Sequence, residues 1–373
     1  MKTSSRTLFS LATSSTAFLL TCAAMVIPAT ASAVQMDDAT KANDPLHKLP
    51  LPPVPVIRPL TAPAIGDDPS PVAPGIHMVR GQMVVLDGIL NMDRGPVDGL
   101  EVLACLKDGK THESLLRLDT GNGQLVKFAL VAAFGLVDGI GSNEGSGLPA
   151  RGTPMRLLVQ WRDDDGDWKE ADASCLVRDR DMDQPYPALP YMYTGSRFIG
   201  MIENGPDNKP VTRERFMLDN TRSVVVNFDE PDALFGAPFP GAINDSRYEV
   251  ATALSPIART PIKLVIKPAI IPAELVLDDH ANLHAEDAEG TVLDDAAIMN
   301  LMTRTYGPGV PAVDASGEPQ LRALGIKVAR NLDRTVDVAT RGRLMALAGQ
   351  AQVWVVPIFE IIPDAEPAKA AAP

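Results

Sequence analysis

Cys105, His112, Glu113 and Ser114 fall within one short stretch. A hydroxyl or thiol becomes a nucleophile when a base stands beside it, and a histidine next to Ser or Cys supplies that base. On a strand His112 and Ser114 share one face and Glu113 takes the other. Cys105 belongs to the preceding strand-like run and can lie across from them. Cys105, His112 and Ser114 are therefore the candidate catalytic set for a hydrolase or transferase. Against that, no nucleophile elbow or Gly-rich oxyanion loop surrounds them. Two other readings of the same residues stand: a polar strand start above a buried cysteine, or a binding patch of His112, Glu113, Ser196 and Arg197.

Two aspartate strings invite a hard cation. "DDDGD" at 163–167 has Gly166 in the fourth position, where the twelve-residue calcium loop needs glycine in the sixth, so a solvated hairpin turn explains it better. Asp179, Asp181 and Asp183 alternate in "DRDMD" but lack the glycine and the distal glutamate. His280 and His284 are spaced for one helix face, yet "DDHANLHAEDAEG" is turn-rich and no Glu follows His280. Trp161 and Trp168 flank the hairpin turn, and cross-strand aromatic packing accounts for them. No Walker loop is present, and the glycines of "GLVDGIGSNEGSG" do not sit between a strand and a helix, so no dinucleotide fingerprint is supported. No cofactor is expected.

The chain has three cysteines. Cys105 and Cys175 are either one disulfide of an exported protein or two buried free thiols, and the sequence leaves both open. They are too few for an iron–sulfur cluster.

The elements around these residues begin with an export signal. Lys2 and Arg6 precede an apolar stretch from Leu8 through Ile27, Pro28 breaks it, and Ala31-Ser32-Ala33 offers a small-residue cleavage site. Residues 1–33 are thus expected to be removed, which places the mature chain outside the cytoplasm, periplasmic or extracellular. Leu19-Leu20-Thr21-Cys22 is the alternative, a lipoprotein anchored at Cys22, although Thr21 departs from the Gly or Ala favoured before that cysteine. No other segment is long and apolar enough to span a bilayer, so no integral membrane segment remains after cleavage. Cleavage removes two positive charges from a chain whose formal charge is already −13. Such acidity argues against nucleic acid or an anionic membrane surface as partner.

Residues 34–76 are Pro-rich and read as an extended, semi-rigid spacer. From His77 to Pro268 the chain reads as β-rich with one clear helix. That helix starts near Asn122, ends at Gly135 and has apolar residues at Leu125, Phe128, Ala129, Ala132 and Ala133. "PMRLLVQWRDDDGDWKEADASCLV" is a hairpin, and "RSVVVNF" and "PIKLVIKP" are strands. Pro268 and Pro272 mark a boundary through which no helix or central strand can run. Residues 270–363 then alternate strand, helix, strand, helix, strand, a small α/β domain expected to fold independently of 77–268. Residues 364–373 are a disordered tail by composition. The fold class is α+β.

The central region resembles the YdjY-domain family of exported bacterial proteins. The likeness is carried by "LEVLACLKDGKTHESLLRL", "GTPMRLLVQWRDDDGDWKEADASCLVRD", "YTGSRF", "VVVNFDEPDALFGAPF" and "RTPIKLVIKP", and spans roughly residues 77–268. The family carries no assigned activity. Some members have been called ferredoxin-like, and this chain lacks the clustered cysteines such a name needs. "GIKVARNLDRTVDVATRGRLMALAGQAQVWVV" resembles the periplasmic part of ExbD/TolR-type transport proteins. Those proteins use an N-terminal membrane helix with an acidic residue, which this chain lacks after cleavage, so the resemblance implies an envelope-domain fold and not a motor. Together these features lead us to expect a non-enzymatic binding or assembly module of the cell envelope, whose partner is an envelope protein or ligand.

Overall fold

The computed structural model describes residues 49, 51, 57–63, 70–141, 148–205, 208–239, 245–277, 283–284, 293–315, 317–330, 332 and 334–362. The signal, with Cys22, and the C-terminal tail lie outside the described residues, as does His280.

Eight strands hydrogen-bond in a closed ring. In chain order they are β1 (Met83–Leu90), β2 (Val102–Cys105), β3 (Ser114–Leu118), β4 (Thr153–Arg162), β5 (Tyr191–Tyr193), β6 (Ser223–Val226), β7 (Phe235–Gly236) and β8 (Pro261–Pro268). Around the ring the order is β4-β5-β7-β6-β2-β3-β1-β8, and β8 closes it by pairing antiparallel with both β1 and β4. Two neighbours run parallel, β2 with β3 and β6 with β7. Strand β8 alternates as closure demands: Ile262, Leu264 and Ile266 join the main core. Val265 on the opposite face clusters with Val85 and Leu158.

Helix α1 (Gly123–Phe134) covers part of this sheet. It starts where expected, because the Asn122 side chain accepts from the Leu125 amide. It stops at Gly135, whose φ of 68° is the left-handed conformation glycine adopts without a Cβ penalty. The hairpin forms as expected between β4 and Trp168–Asp172, with Asp163 Oδ1 accepting from the amides of Asp165 and Asp167 to hold the turn. The tryptophans do not pair as expected. Arg162 is the residue opposite Trp168, and its guanidinium lies 5.1 Å from that ring centre. Trp161 points the other way into the core, because neighbouring strand positions face opposite sides.

The Pro-rich segment is tied to the body at several points. Leu51 is buried. Arg58–Leu60 adds an edge strand beside Trp168–Asp172, where Arg58 pairs with Glu170. Ser70–Ala73 pairs with Ile76–Val79. Proline is tolerated in these strands because an edge strand leaves one row of amides unpaired.

After Pro268 a second sheet forms from β9 (Ala273–Leu277), β10 (Leu283–His284), β11 (Ala323–Ala329) and β12 (Val356–Ile362), ordered β10-β9-β11-β12. Strand β11 runs parallel to both β9 and β12. Helices α2 (Asp295–Tyr306) and α3 (Arg334–Gln350) accompany it, α2 capped by the Asp294 side chain on the Ala297 amide. The chain between Pro268 and Ala273 is a break between strands, yet one apolar core runs from the barrel into this sheet. Polar ties cross as well. Arg151 Nη1 lies 2.6 Å from Asp337 Oδ2, both almost fully buried. Arg156 Nη1 donates to Glu318 at 2.7 Å, and the Gly152 amide donates to the Phe359 carbonyl at 3.0 Å. Among the described residues no helix is long and apolar enough to cross a membrane.

Candidate functional site

Strands β2 and β3 run parallel side by side, so residues 106–113 must carry the chain back along the sheet in one short connection. A tight turn at Lys107–Gly109 brings this connection over Cys105. A Cβ added to Gly109 would stand 2.8 Å from Cys105 Cβ and 2.9 Å from Arg222 Cβ, so only glycine fits there. Cys105 is buried with Val102, Val226 and Ala233. Burial pushes its thiol up, and the neighbouring Ser114 side chain offsets this only in part. A buried, protonated thiol is a poor nucleophile.

The candidate catalytic set is not assembled. Ser114 Oγ donates to the Lys110 carbonyl at 2.5 Å, closing the loop on itself. His112 Nε2 lies 3.0 Å from Glu113 Oε1, and its side chain is 76% exposed. The base therefore stands in solvent beside a carboxylate while the hydroxyl is spent on backbone. The strand-face reasoning failed because His112 precedes β3 and belongs to the connecting turn.

What gathers here instead is an ammonium among three carboxylates. Lys110 Nζ lies 3.5 Å from Glu101, 3.9 Å from Glu113 and 3.9 Å from Glu230. Burial alone would lower the lysine, but the charges of Glu230, Glu101 and Glu113 outweigh it and hold the ammonium above its ordinary value. Burial, then the charge of Glu113, raises Glu101. Burial raises Glu230 against the opposing pull of Lys110 and of the Ser223 and Thr221 hydroxyls. One ammonium faces three carboxyl groups, and burial weighs against the charged forms of Glu101 and Glu230. Of the proposed binding patch, Glu113 belongs to this cluster, His112 pairs with Glu113, and Arg197 reaches it through Asp232. Arg197 donates to Asp232 at 2.6 Å, and Asp232 is close enough to add its charge to Glu230. Ser196 is buried, adopts φ 55° and accepts from the Leu218 amide at 3.2 Å. Its oxygen thereby meets one of the free amides at the start of the short helix Met217–Thr221.

Cys105 and Cys175 are both free and buried in separate apolar clusters, so the disulfide alternative is not realised. The calcium reading is overturned too. Asp179 is fully buried and accepts from Tyr186 Oη at 2.6 Å, Arg247 Nε at 2.8 Å and the amides of Asp181 and Met182. Asp181 lies 3.7 Å from Arg247, and Asp183 pairs with Arg178. A guanidinium thus occupies the place a cation would take. Among the described residues no group of three or more His, Cys, Asp or Glu side chains could hold a metal ion. His284 lies on strand β10 and not on a helix, which removes the premise of the two-histidine zinc reading.

Two further features mark the surface. A cleft of about 390 Å³ opens where barrel and second sheet meet, walled by Pro268, Ile270, Pro272, Pro311 and Val313. Its charged members Arg156 and Lys267 both donate to Glu318. The second feature is a ribbon arm: Phe198–Asn204 pairs antiparallel with Pro210–Phe216 as a sheet of its own. Its base is fastened by buried Phe216, whose ring lies 4.9 Å from that of Phe198, with Lys127 over both rings. Phe198 at the base is still 54% exposed, and beyond it Ile202 stands 77% exposed, with Met201 and Val211 also open. The sequence marks only the turn, by Asn204-Gly205 after the apolar run 198–202; the return strand PVTRERF carries three charges and no strand-like apolar pattern.

No protein-family model, no curated protein and no solved structure matches this chain.

Proposed function

We propose that this chain is an exported cell-envelope protein, periplasmic or extracellular, that acts as a non-enzymatic binding or assembly module. Its contact element is the arm formed by residues 198–216. The carrying observation is that the arm exposes Phe198, Met201, Ile202 and Val211 together on one projecting ribbon. Fully burying one such side chain is worth about 1.5–3 kcal/mol, so a partner that covers them gains several kcal/mol. An isolated two-stranded hairpin is marginal in water, which favours a docked state.

The YdjY-like reading of the central region and the envelope-domain reading of residues 270–363 as a small α/β module belong to this proposal, as do signal cleavage after Ala33 and the alternative anchor at Cys22. The hydrolase or transferase alternative on Cys105, His112 and Ser114 finds little support in the geometry, because the hydroxyl donates to the Lys110 carbonyl, the imidazole stands in solvent beside Glu113, and the thiol is buried.

The test is cross-linking capture from envelope fractions with the mature chain as bait, beside an Ile202→Glu, Val211→Glu variant. Both positions are exposed, so the variant keeps its fold. A component captured by the parent and lost from the variant is expected. Equal capture by both, or turnover of a small substrate with no envelope component recovered, removes the proposal.

A further inference from the structure

We propose that the arm's partner is a second copy of this chain: strand Phe198–Asn204 pairs antiparallel with its own counterpart about a two-fold axis at Met201. This rests on the reading of the arm as the contact element.

The two free edges of the ribbon are not alike. Exposed edges invite further strands, and proteins blunt them with proline, charges or bulges. Strand Pro210–Phe216 carries all but the bulge: Pro210 has no amide to donate, and Arg213, Glu214 and Arg215 line the strand. Strand Phe198–Asn204 holds a single charged residue, Glu203. That carboxylate is already engaged, accepting from Arg215 Nε at 2.6 Å with Arg213 Nε 3.8 Å away. The ribbon keeps register from Phe198↔Phe216 through Asn204↔Pro210 without a bulge to twist the edge aside. Its open edge is therefore regular, nearly uncharged and apolar.

The sequence of that edge is complementary to itself. Antiparallel pairing about Met201 sets Ile199 opposite Glu203, Gly200 opposite Ile202 and Phe198 opposite Asn204 of the second copy. Ile202, the most exposed side chain of the arm, then lies over a residue with no side chain. Both Ile202 side chains meet on the same face beside the axis. No like charges are opposed anywhere in this register. The same operation on the other strand would set Arg213 against Arg213, and like charges directly opposite destabilise a pair. A two-fold contact of one patch with itself is also the commonest route to a closed oligomer.

The contact is short. Seven residues at about 3.4 Å each give an edge of about 24 Å, below the scale of a standard stable interface. Each copy also brings a formal charge of −13, so the bodies repel. The dimer is thus weak, in the micromolar range or above, and added salt tightens it by screening that repulsion.

Sedimentation equilibrium of the full chain over a wide concentration range, at low and high salt, reads this directly. A monomer–dimer equilibrium that strengthens with salt is expected. Met201→Lys sets two ammonium groups together at the axis and should weaken dimerisation at least about tenfold. Met201→Glu should do the same, and mixing the two variants should restore a dimer through Lys–Glu pairing. Arg213→Glu, on the guarded strand, should leave the equilibrium within about twofold. A chain that stays monomeric at every concentration overturns the inference, as does a Met201→Lys chain that dimerises like the parent or a mixture that stays monomeric. A monomer that still captures an envelope component through the arm leaves the proposed function standing without this partner. A dimer with the expected variant behaviour, whose Ile202→Glu, Val211→Glu form captures the same components as the parent, leaves this inference standing without that function.

Discussion

Replacing Asp179 by alanine separates a structural reading of the "DRDMD" string from a calcium reading. The carboxylate is fully buried and answers Arg247 through both Nε and Nη2, at 2.8 and 2.7 Å, while Tyr186 donates to it at 2.6 Å. Arg247 is itself 6% exposed. Removing one partner of a buried pair strands the other, at about 3–5 kcal/mol. The Tyr186 hydroxyl loses its acceptor in the same step, but the two losses share one network and do not add fully. At about 2 °C per kcal/mol for a chain of this length, the melting midpoint should fall by roughly 6–10 °C. Asp179→Asn keeps an acceptor for the Asp181 and Met182 amides yet leaves the guanidinium only the more distant Asp181 carboxylate, so it should fall between parent and alanine variant. Tryptophan fluorescence in urea is a suitable assay, because the Trp354 ring lies 6.4 Å from that of Tyr186. The measurement is made with calcium and with chelator. Equal losses in both conditions are expected. A loss under about 1 kcal/mol, or one confined to calcium-loaded protein, would refute the buried-pair account.

Residues 270–363 expressed alone should give a poorly dispersed amide spectrum, since they leave behind the barrel's share of the core and the partners of Asp337 and Glu318; sharp, dispersed peaks would mean that they fold by themselves. The Cys105 and Cys175 thiols should react with an aromatic disulfide reagent only after denaturation, and Gly109→Ala should destabilise by about 1–3 kcal/mol through its clash with Cys105 and Arg222, as read by urea midpoint. Glu230→Gln tests the carboxylate cluster. Burial raises Glu230, so its contribution is favourable below the ordinary carboxylate range and is lost as pH rises through the raised value. The variant should therefore be more stable than the parent at pH 7, with the difference shrinking toward pH 4; a variant less stable at pH 7 would mean that the Lys110 attraction dominates.

Much of the secondary structure was legible because its determinants are local. Asn122 and Gly135 bound α1 through contacts within a few residues, and the Asp163 side chain folds its own turn. The run at 261–268 was legible as a strand. What the neighbours of that strand would be was not legible. Strand β8 must find both β1 and β4, far away along the chain, and only the closed ring satisfies its two rows of backbone groups at once. The same limit governs the site. Spacing put Cys105, His112 and Ser114 together in sequence, but the loop that must return from β2 to β3 buries the thiol, ties the hydroxyl to its own backbone and turns the imidazole to solvent. Arg247 reaching Asp179 likewise depends on Tyr248–Val250 pairing with Val177–Asp179, a long-range choice that cancels a local cation motif. Short-range chemistry therefore determined where strands, caps and turns begin and end. Which strands became neighbours, and so which side chains met, was decided only when the chain closed on itself, because unpaired strand edges and unburied apolar faces cost more than any local preference can offset.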